Sequence, residues 1–80
     1  TVTKLSYKQK YALEQLPREM SELETVIADS KKLLSDSSLF TKDPELFNKT
    51  AALLDKSETR LSEAEAEWLE LEILREEFEG

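Results

Sequence analysis

The sequence of 80 residues contains neither cysteine nor histidine, only one glycine and only two prolines. Without cysteine the chain cannot form disulfides or thiolate metal sites, and without histidine it lacks the commonest metal ligand and general base. No apolar run approaches the roughly 20 residues that a membrane-spanning helix needs, and we expect no signal peptide. These absences favour a small cytoplasmic domain that is not an enzyme and does not contact a membrane.

Charge is what the chain has in abundance, and its net charge is −7. The excess lies at one end, because residues 61–80 hold eight acidic residues and one basic residue, whereas residues 1–60 are balanced. An acidic surface repels nucleic acid, but a phosphate group responds to the charge close to it. The first sixty residues therefore leave nucleic acid open as a partner.

Over most of the chain, apolar residues recur alternately every three and four residues, in two runs that we call seams. This spacing is the a/d repeat of a coiled coil. We therefore predict an all-α fold: a two-helix antiparallel intramolecular coiled-coil hairpin, which we expect to be a monomer. The seam residues are Leu13, Leu16, Met20, Leu23, Ile27, Ser30 and Leu34 in the first helix, and Phe47, Thr50, Leu54, Ser57, Leu61, Ala64, Trp68, Leu71, Arg75 and Phe78 in the second.

Local signals set the helix limits. Ser6 and Gln9 have the spacing of a capping box, which starts a helix near Tyr7. Asp43 is a good N-cap and Pro44 a good first helical residue. The predicted division is a linker or tail at residues 1–5 and a hairpin at 6–79, with a helix over about 7–36, a loop over about 37–43 and a helix over about 44–78.

Pro17 interrupts the first helix without resetting its seam. Proline removes a backbone donor and crowds the preceding turn, so we predict a kink or a short 3₁₀ turn near residues 13–17. The antiparallel pairing places Trp68 opposite Pro17, where its large ring would fill the gap. Two helices that pack along a single apolar stripe form no pocket, and this again argues against an enzyme.

The candidate phosphate contacts are basic residues in two groups. Lysine supplies a mobile point charge to phosphate, and an aromatic ring beside a cation can stack an unpaired base. In the alternative interpretation the lysines are simply solvated and the two tyrosines pack over Leu71, Leu74 and Phe78. The candidates are Lys4, Lys8, Lys10 and Arg18 with Tyr7 and Tyr11 near the start, and Lys31, Lys32, Lys42 and Lys49 around the turn.

The acidic clusters of the second helix are not candidates for a metal or catalytic site. Paired catalytic carboxylates need a shaped, partly dry cleft that separates their pKa values. On a helical rod these groups face solvent instead. The sequence therefore predicts no catalytic residue, no metal and no cofactor in this domain.

Three short segments carry a resemblance that covers essentially the whole chain. Residues 4–7 read KLSY, residues 13–17 read LEQLP, and residues 67–71 read EWLEL. Together they resemble the C-terminal domain of Uup-type ABC-F ATPases. Heptads rich in Glu and Leu are common to all coiled coils, so the KLSY and LEQLP segments make the match specific. An unrelated coiled-coil arm, such as those of tRNA synthetases, fits the heptads but not these two segments.

The resemblance implies a role within a larger protein. Such proteins carry two ATP-binding cassettes, which use ATP and Mg, and they resemble factors that act on the ribosome. In Uup-type members the C-terminal domain is associated with DNA binding. With a single glycine this chain has no phosphate-binding loop of its own. We therefore expect a non-catalytic accessory module of a cytoplasmic ABC-F ATPase.

Two functions stay open from the sequence. In the first, the domain contacts DNA or ribosomal RNA with low affinity through backbone phosphates, since the acidic C-terminal arm would repel a duplex on that side. In the second, the rod is a structural or protein-binding coiled coil that docks on its own ATPase cassettes or on a protein partner. Exposed apolar residues beside the seam would favour the second function; the candidates are Leu53, Leu69, Ile73 and Leu74.

Overall fold

The structure, a computed structural model, describes the backbone of residues 5–79 and the side chains of residues 5–77. It contains two long helices, α1 (Tyr7–Leu34) and α3 (Pro44–Glu79), joined by the short helix α2 (Leu39–Lys42). Within the described residues there is no strand, so the predicted all-α class is confirmed. The molecule is a rod of 62 × 16 × 14 Å.

The capping box at the start of α1 is confirmed. Ser6 is extended, with φ −66° and ψ 162°, and its Oγ accepts a hydrogen bond of 3.1 Å from the Gln9 backbone N–H. The Gln9 side-chain Oε1 accepts in return from the Ser6 backbone N–H at 2.9 Å. These two bonds satisfy two of the donors that a helix N-terminus leaves open, so α1 begins sharply at Tyr7.

The start of the chain differs from the predicted tail in one respect. Leu5 was assigned to the linker of residues 1–5, but its side chain is 8% exposed. A leucine buried to this extent packs against the domain, because removing its apolar surface from water is favourable. The rest of the predicted linker, residues 1–4, lies outside the described residues.

The connection between the long helices also differs from the prediction. Helix α1 ends at Leu34, two residues before the predicted limit near Asp36, and the segment assigned to a loop over about 37–43 contains α2. The Asp36 carboxylate accepts hydrogen bonds from the Ser38 backbone N–H at 3.0 Å and the Ser38 hydroxyl at 2.7 Å. Asp and Ser side chains compete in this way with helical backbone bonding, which explains the earlier stop.

Apolar contacts hold α2 onto α3. Leu39 is buried, and the Phe40 ring meets the Phe47 ring edge to face with centroids 5.3 Å apart. Asp43 then caps α3, because its side-chain Oδ1 accepts from the Leu46 backbone N–H at 3.0 Å. Pro44 occupies the first helical position, where no backbone donor is needed.

The two predicted seams are the positions that the structure covers. Every seam residue from Leu13 to Leu34, and from Phe47 to Leu71, is buried or half-buried. Arg75 departs from the pattern and is exposed, while the Phe78 side chain lies outside the described residues. Helices α1 and α3 therefore pack along the stripe that their heptads define.

The best-buried part of the core lies between the first half of α1 and the second half of α3. Leu16, Ala64 and Leu71 form its centre, and Ala64 has no exposed surface. Five partly buried apolar side chains pack around these three: Ala12, Leu13, Met20, Trp68 and Leu74. The predicted facing of Leu13 and Leu16 with Trp68 and Leu71 agrees with this cluster.

Helix α1 is α-helical across Pro17. Residues 13–17 form no 3₁₀ turn, so that part of the prediction is wrong, and a kink of the helix axis stays a prediction. Pro17 is exposed, whereas its neighbour Leu16 is 4% exposed. The ring thus lies on the solvent side, and packing of the seam residues on both sides offsets the backbone bond that proline cannot make.

Candidate nucleic-acid interface

The basic group near the start of the chain lies on α1. Lys8, Lys10 and Arg18 are exposed, and none of them forms an ion pair with another residue in the described range 5–77. Lys4, the remaining member of the group, lies outside the described residues. Three cations are therefore available to solvent anions within the first three turns of the helix.

Tyr7, Tyr11 and Arg18 share the outer face of α1. At 3.6 residues per turn, Tyr7 lies about 180° around the helix from the buried Leu16. Tyr11 and Arg18 lie about 140° and 160° from Leu16 by the same geometry. This face points away from the seam and hence away from α3. Helical register alone thus separates the tyrosines from the acidic arm.

Both tyrosines present most of their side chain to solvent. Tyr7 is 85% exposed and Tyr11 is 56% exposed. Neither belongs to the apolar cluster that includes Leu71 and Leu74. The alternative in which the tyrosines pack over these two leucines stays a prediction, and the side chain of its third residue, Phe78, lies outside the described residues. Both rings are presented to solvent at the start of a capped helix.

Lys8 lies on a different side of α1, facing the acidic arm. It lines an open groove between the helices together with Gln9 and Ala12 of α1 and with Glu67 and Glu70 of α3. The carboxylates there lower the local potential, so Lys8 contributes less to an anion site than Arg18 on the outer face. Lys8 of α1 thus lies beside two carboxylates of the acidic C-terminal arm.

The basic group around the turn is partly neutralised. Lys31 Nζ lies 3.9 Å from Glu58 Oε2, and Lys49 Nζ lies 3.7 Å from Glu45 Oε1. Lys32 is exposed, as is Lys42, and neither has an ion-pair partner among residues 5–77. These exposed pairs are weak, but they reduce the positive potential of the turn.

The strongest ion pair is one that sequence reasoning missed. Arg60 of α3 donates from Nε to Glu19 Oε2 at 2.7 Å and from Nη2 to Glu19 Oε1 at 2.6 Å. The hydrogen bonds from Arg60 lower the pKa of Glu19, and the same contact raises the pKa of Arg60. A fork of this kind orients two helices. Its signal in the sequence is that both residues directly precede a seam position.

Several apolar side chains beside the seam are exposed. Leu53, Leu69 and Ile73 are each about half exposed, as expected, but Leu74 is half-buried in the core and was wrongly placed in this set. Leu53 also lines a second open groove with Val26 and Leu33, over the small polar seam residues Ser30 and Thr50. The sequence did not reveal that groove. The outer surface thus offers apolar as well as charged contacts.

The part of the chain that the structure describes holds neither a metal site built from acidic side chains nor a membrane-spanning helix. No group of three or more acidic side chains there is placed to hold a metal ion. None of the helices there combines the length and apolar character needed to cross a membrane. What remains is a rod whose outer face at one end carries Tyr7, Tyr11 and Arg18, with the exposed Glu14 among them.

Comparison with known proteins places the rod in a family. Residues 4–72 match the family described as ABC transporter C-terminal domain. The match spans most of the 80 residues, and the chain therefore belongs to the ABC transporter C-terminal domain family. Neither a curated protein nor a solved structure gives a significant match. A C-terminal domain of this kind is an accessory part of an ABC protein.

Proposed function

We propose that this domain is the non-catalytic C-terminal module of a Uup-type ABC-F ATPase and that it contacts nucleic acid, DNA or ribosomal RNA, through backbone phosphates. The family match supports its attachment to an ABC protein. The KLSY and LEQLP segments support the Uup type. In this proposal the full protein is cytoplasmic, and its cassettes bind ATP and Mg.

The proposed architecture is an antiparallel coiled-coil hairpin, bent at Pro17. The grooves between the helices support the antiparallel order, because Gln9 and Ala12 share one groove with Leu71. At the other end of the rod, Leu33 shares a groove with Leu53. Early residues of α1 thus lie beside late residues of α3, and late residues of α1 lie beside early ones.

The observation that carries the nucleic-acid proposal is the exposed cationic group on α1. Lys8, Lys10 and Arg18 reach solvent without an ion-pair partner among the described residues, in a chain whose net charge is −7. Each cation that meets a phosphate releases a counterion, so the binding constant falls as salt rises. With three contacts, log K should fall with log salt at a slope of about −2 to −3.

The test is fluorescence anisotropy of a labelled oligonucleotide at two salt concentrations. Wild-type domain should bind at low salt, and the variant K8Q/K10Q/R18Q should lose most of the binding and of its salt dependence. The comparison variant K32Q/K42Q/K56Q removes the same number of exposed charges, two of them from the candidate group at the turn, where neighbouring ion pairs reduce the positive potential. The proposal fails if no oligonucleotide binds at low salt, or if both triple variants weaken binding equally.

A second candidate function is docking on a protein surface, such as the ATPase cassettes. The observation that favours it is the apolar groove, whose wall residues Leu33 and Leu53 are 39% and 49% exposed. The variant L33S/L53S should then abolish binding of the domain to cassettes expressed separately, while leaving nucleic-acid binding unchanged. Unchanged binding to the cassettes would remove this candidate.

A further inference from the structure

Resting on the proposed function, we infer that the α1 surface selects unpaired nucleic acid, with Tyr7 and Tyr11 stacking on bases while neighbouring cations hold the phosphates. The two rings are the most exposed feature of this surface, at 85% and 56%. They lie four residues apart on one helix face. This spacing puts their Cβ atoms roughly 5–6 Å from each other.

The cost of exposing these rings points to a ligand. A large aromatic side chain buries much apolar surface when it packs, so an unpartnered pair gives up that stabilisation in the free protein. The same helix buries Ala12, Leu13 and Leu16 in the core one face away. Tyr7 thus lies almost wholly in solvent, and Tyr11 leaves more than half of its side chain to solvent.

Stacking requires a base whose face is free. In a duplex each base is already stacked on its neighbours about 3.4 Å away, and its faces are covered. An unpaired strand can spread its bases and lay them on protein aromatics, and this mode tolerates any sequence. A tyrosine pair at the spacing of an α-helical turn fits two bases of a spread single strand better than a regular duplex.

Cations lie on both sides of the ring pair, and one exposed carboxylate, Glu14, lies between Tyr11 and Arg18 on the same face. Arg18 lies on the same outer face as the rings, about two turns further along α1, and Lys10 is exposed one residue before Tyr11. The Glu67 and Glu70 carboxylates line the groove on the Lys8 side, away from this face. A narrow single strand can follow the outer face of α1 without approaching that groove. A wider duplex would bring its second strand closer to the acidic arm.

The experiment measures anisotropy of one labelled 12-mer as a single strand and as a duplex, against wild-type domain and two tyrosine variants. Because both rings are exposed, Y7A/Y11A should fold normally, and its circular dichroism and thermal midpoint should match those of the wild type. Wild-type domain should bind the single strand at least about fivefold more tightly than the duplex. Y7A/Y11A should lose about 25-fold on the single strand, roughly fivefold for each ring, and little on the duplex.

The conservative variant Y7F/Y11F separates stacking from hydrogen bonding. It keeps the aromatic faces, so it should bind the single strand within about twofold of wild type. Ring proton resonances of Tyr7 and Tyr11 should also shift upfield when the single strand binds to the wild type. The inference is overturned if the duplex binds as tightly as the single strand, or if Y7A/Y11A weakens binding of both ligands equally. In either case the domain would still bind nucleic acid, so the proposed function would stand. Absence of binding to both ligands would overturn the two proposals together.

Discussion

Shortening Leu16 to alanine should bring the domain close to its unfolding threshold. Leu16 is 4% exposed and lies at the centre of the core with Ala64 and Leu71. Leu→Ala substitutions at buried sites cost about 2–5 kcal/mol. The flexible Met20 and the half-buried Trp68 border the site and can partly fill the space. We therefore expect a loss of about 3 kcal/mol, in the middle of that range.

The size of the domain makes this loss decisive. A domain below about 80 residues seldom has more than roughly 3–5 kcal/mol of net stability from one core. A loss of about 3 kcal/mol should lower the thermal midpoint by roughly 12–24 °C. Urea unfolding followed by far-ultraviolet circular dichroism measures the loss of free energy, and a temperature scan of the same signal measures the midpoint. The control is L69A on α3, whose side chain is 55% exposed and which should cost less than about 0.5 kcal/mol. Equal costs for L16A and L69A would refute the assignment of the seam.

Three other perturbations test separate parts of the structure. Because Arg60 lowers the pKa of Glu19, ionised Glu19 stabilises the folded state above its ordinary pKa and loses this effect as pH falls below about 4. In E19Q the free energy of unfolding in urea should therefore depend less on pH over that window. A pH profile unchanged from that of the wild type would contradict the pairing. S6A should lower the free energy of unfolding in urea by about 1 kcal/mol because it removes the cap of α1. The control S62A, at an exposed position, should leave that free energy almost unchanged. Equal losses in the two variants would refute the capping role of Ser6. P17A should stabilise the domain by up to about 3 kcal/mol and straighten α1; an unchanged axis in residual dipolar couplings would rule out the kink.

Much of the fold is readable from the sequence because its signals are local. The step of three and four residues marks the covered face of each helix, and burial from Leu13 to Leu71 follows it. Ser6 and Gln9 mark the start of α1 through bonds between neighbours in the chain. Such signals depend on helix geometry alone, so a single sequence carries them.

The features that the sequence did not predict depend on which of several possible partners a side chain contacts in the folded protein. Asp36 could have continued α1. Instead its carboxylate accepts hydrogen bonds from Ser38, so α1 ends before Asp36 and α2 forms after it. Glu19 and Arg60 are each flanked by other charges, and only the packing of the helices selects the pair. Leu5 lies outside the heptads, so no periodicity marked its burial.

The candidate site was only partly predictable. The residue types near the start of α1 suggested phosphate and base contact, but their arrangement required helical register. Tyr7, Tyr11 and Arg18 lie opposite Leu16, and the seam could have revealed this if it had been extended back to residue 7. What periodicity does not reveal is how much of each ring is exposed, since that depends on whether α3 reaches them.

If nucleic acid binds the outer face of α1, as proposed, a nuclear magnetic resonance titration should locate the contact residue by residue. Amide and ring resonances should be followed as an unlabelled single-stranded oligonucleotide is added to isotope-labelled domain at low salt. We expect the largest shifts at Tyr7, Tyr11 and Arg18, with little change at the exposed Leu69 and Ile73 on α3. Shifts confined to α3, or no shifts at all, would contradict the proposal.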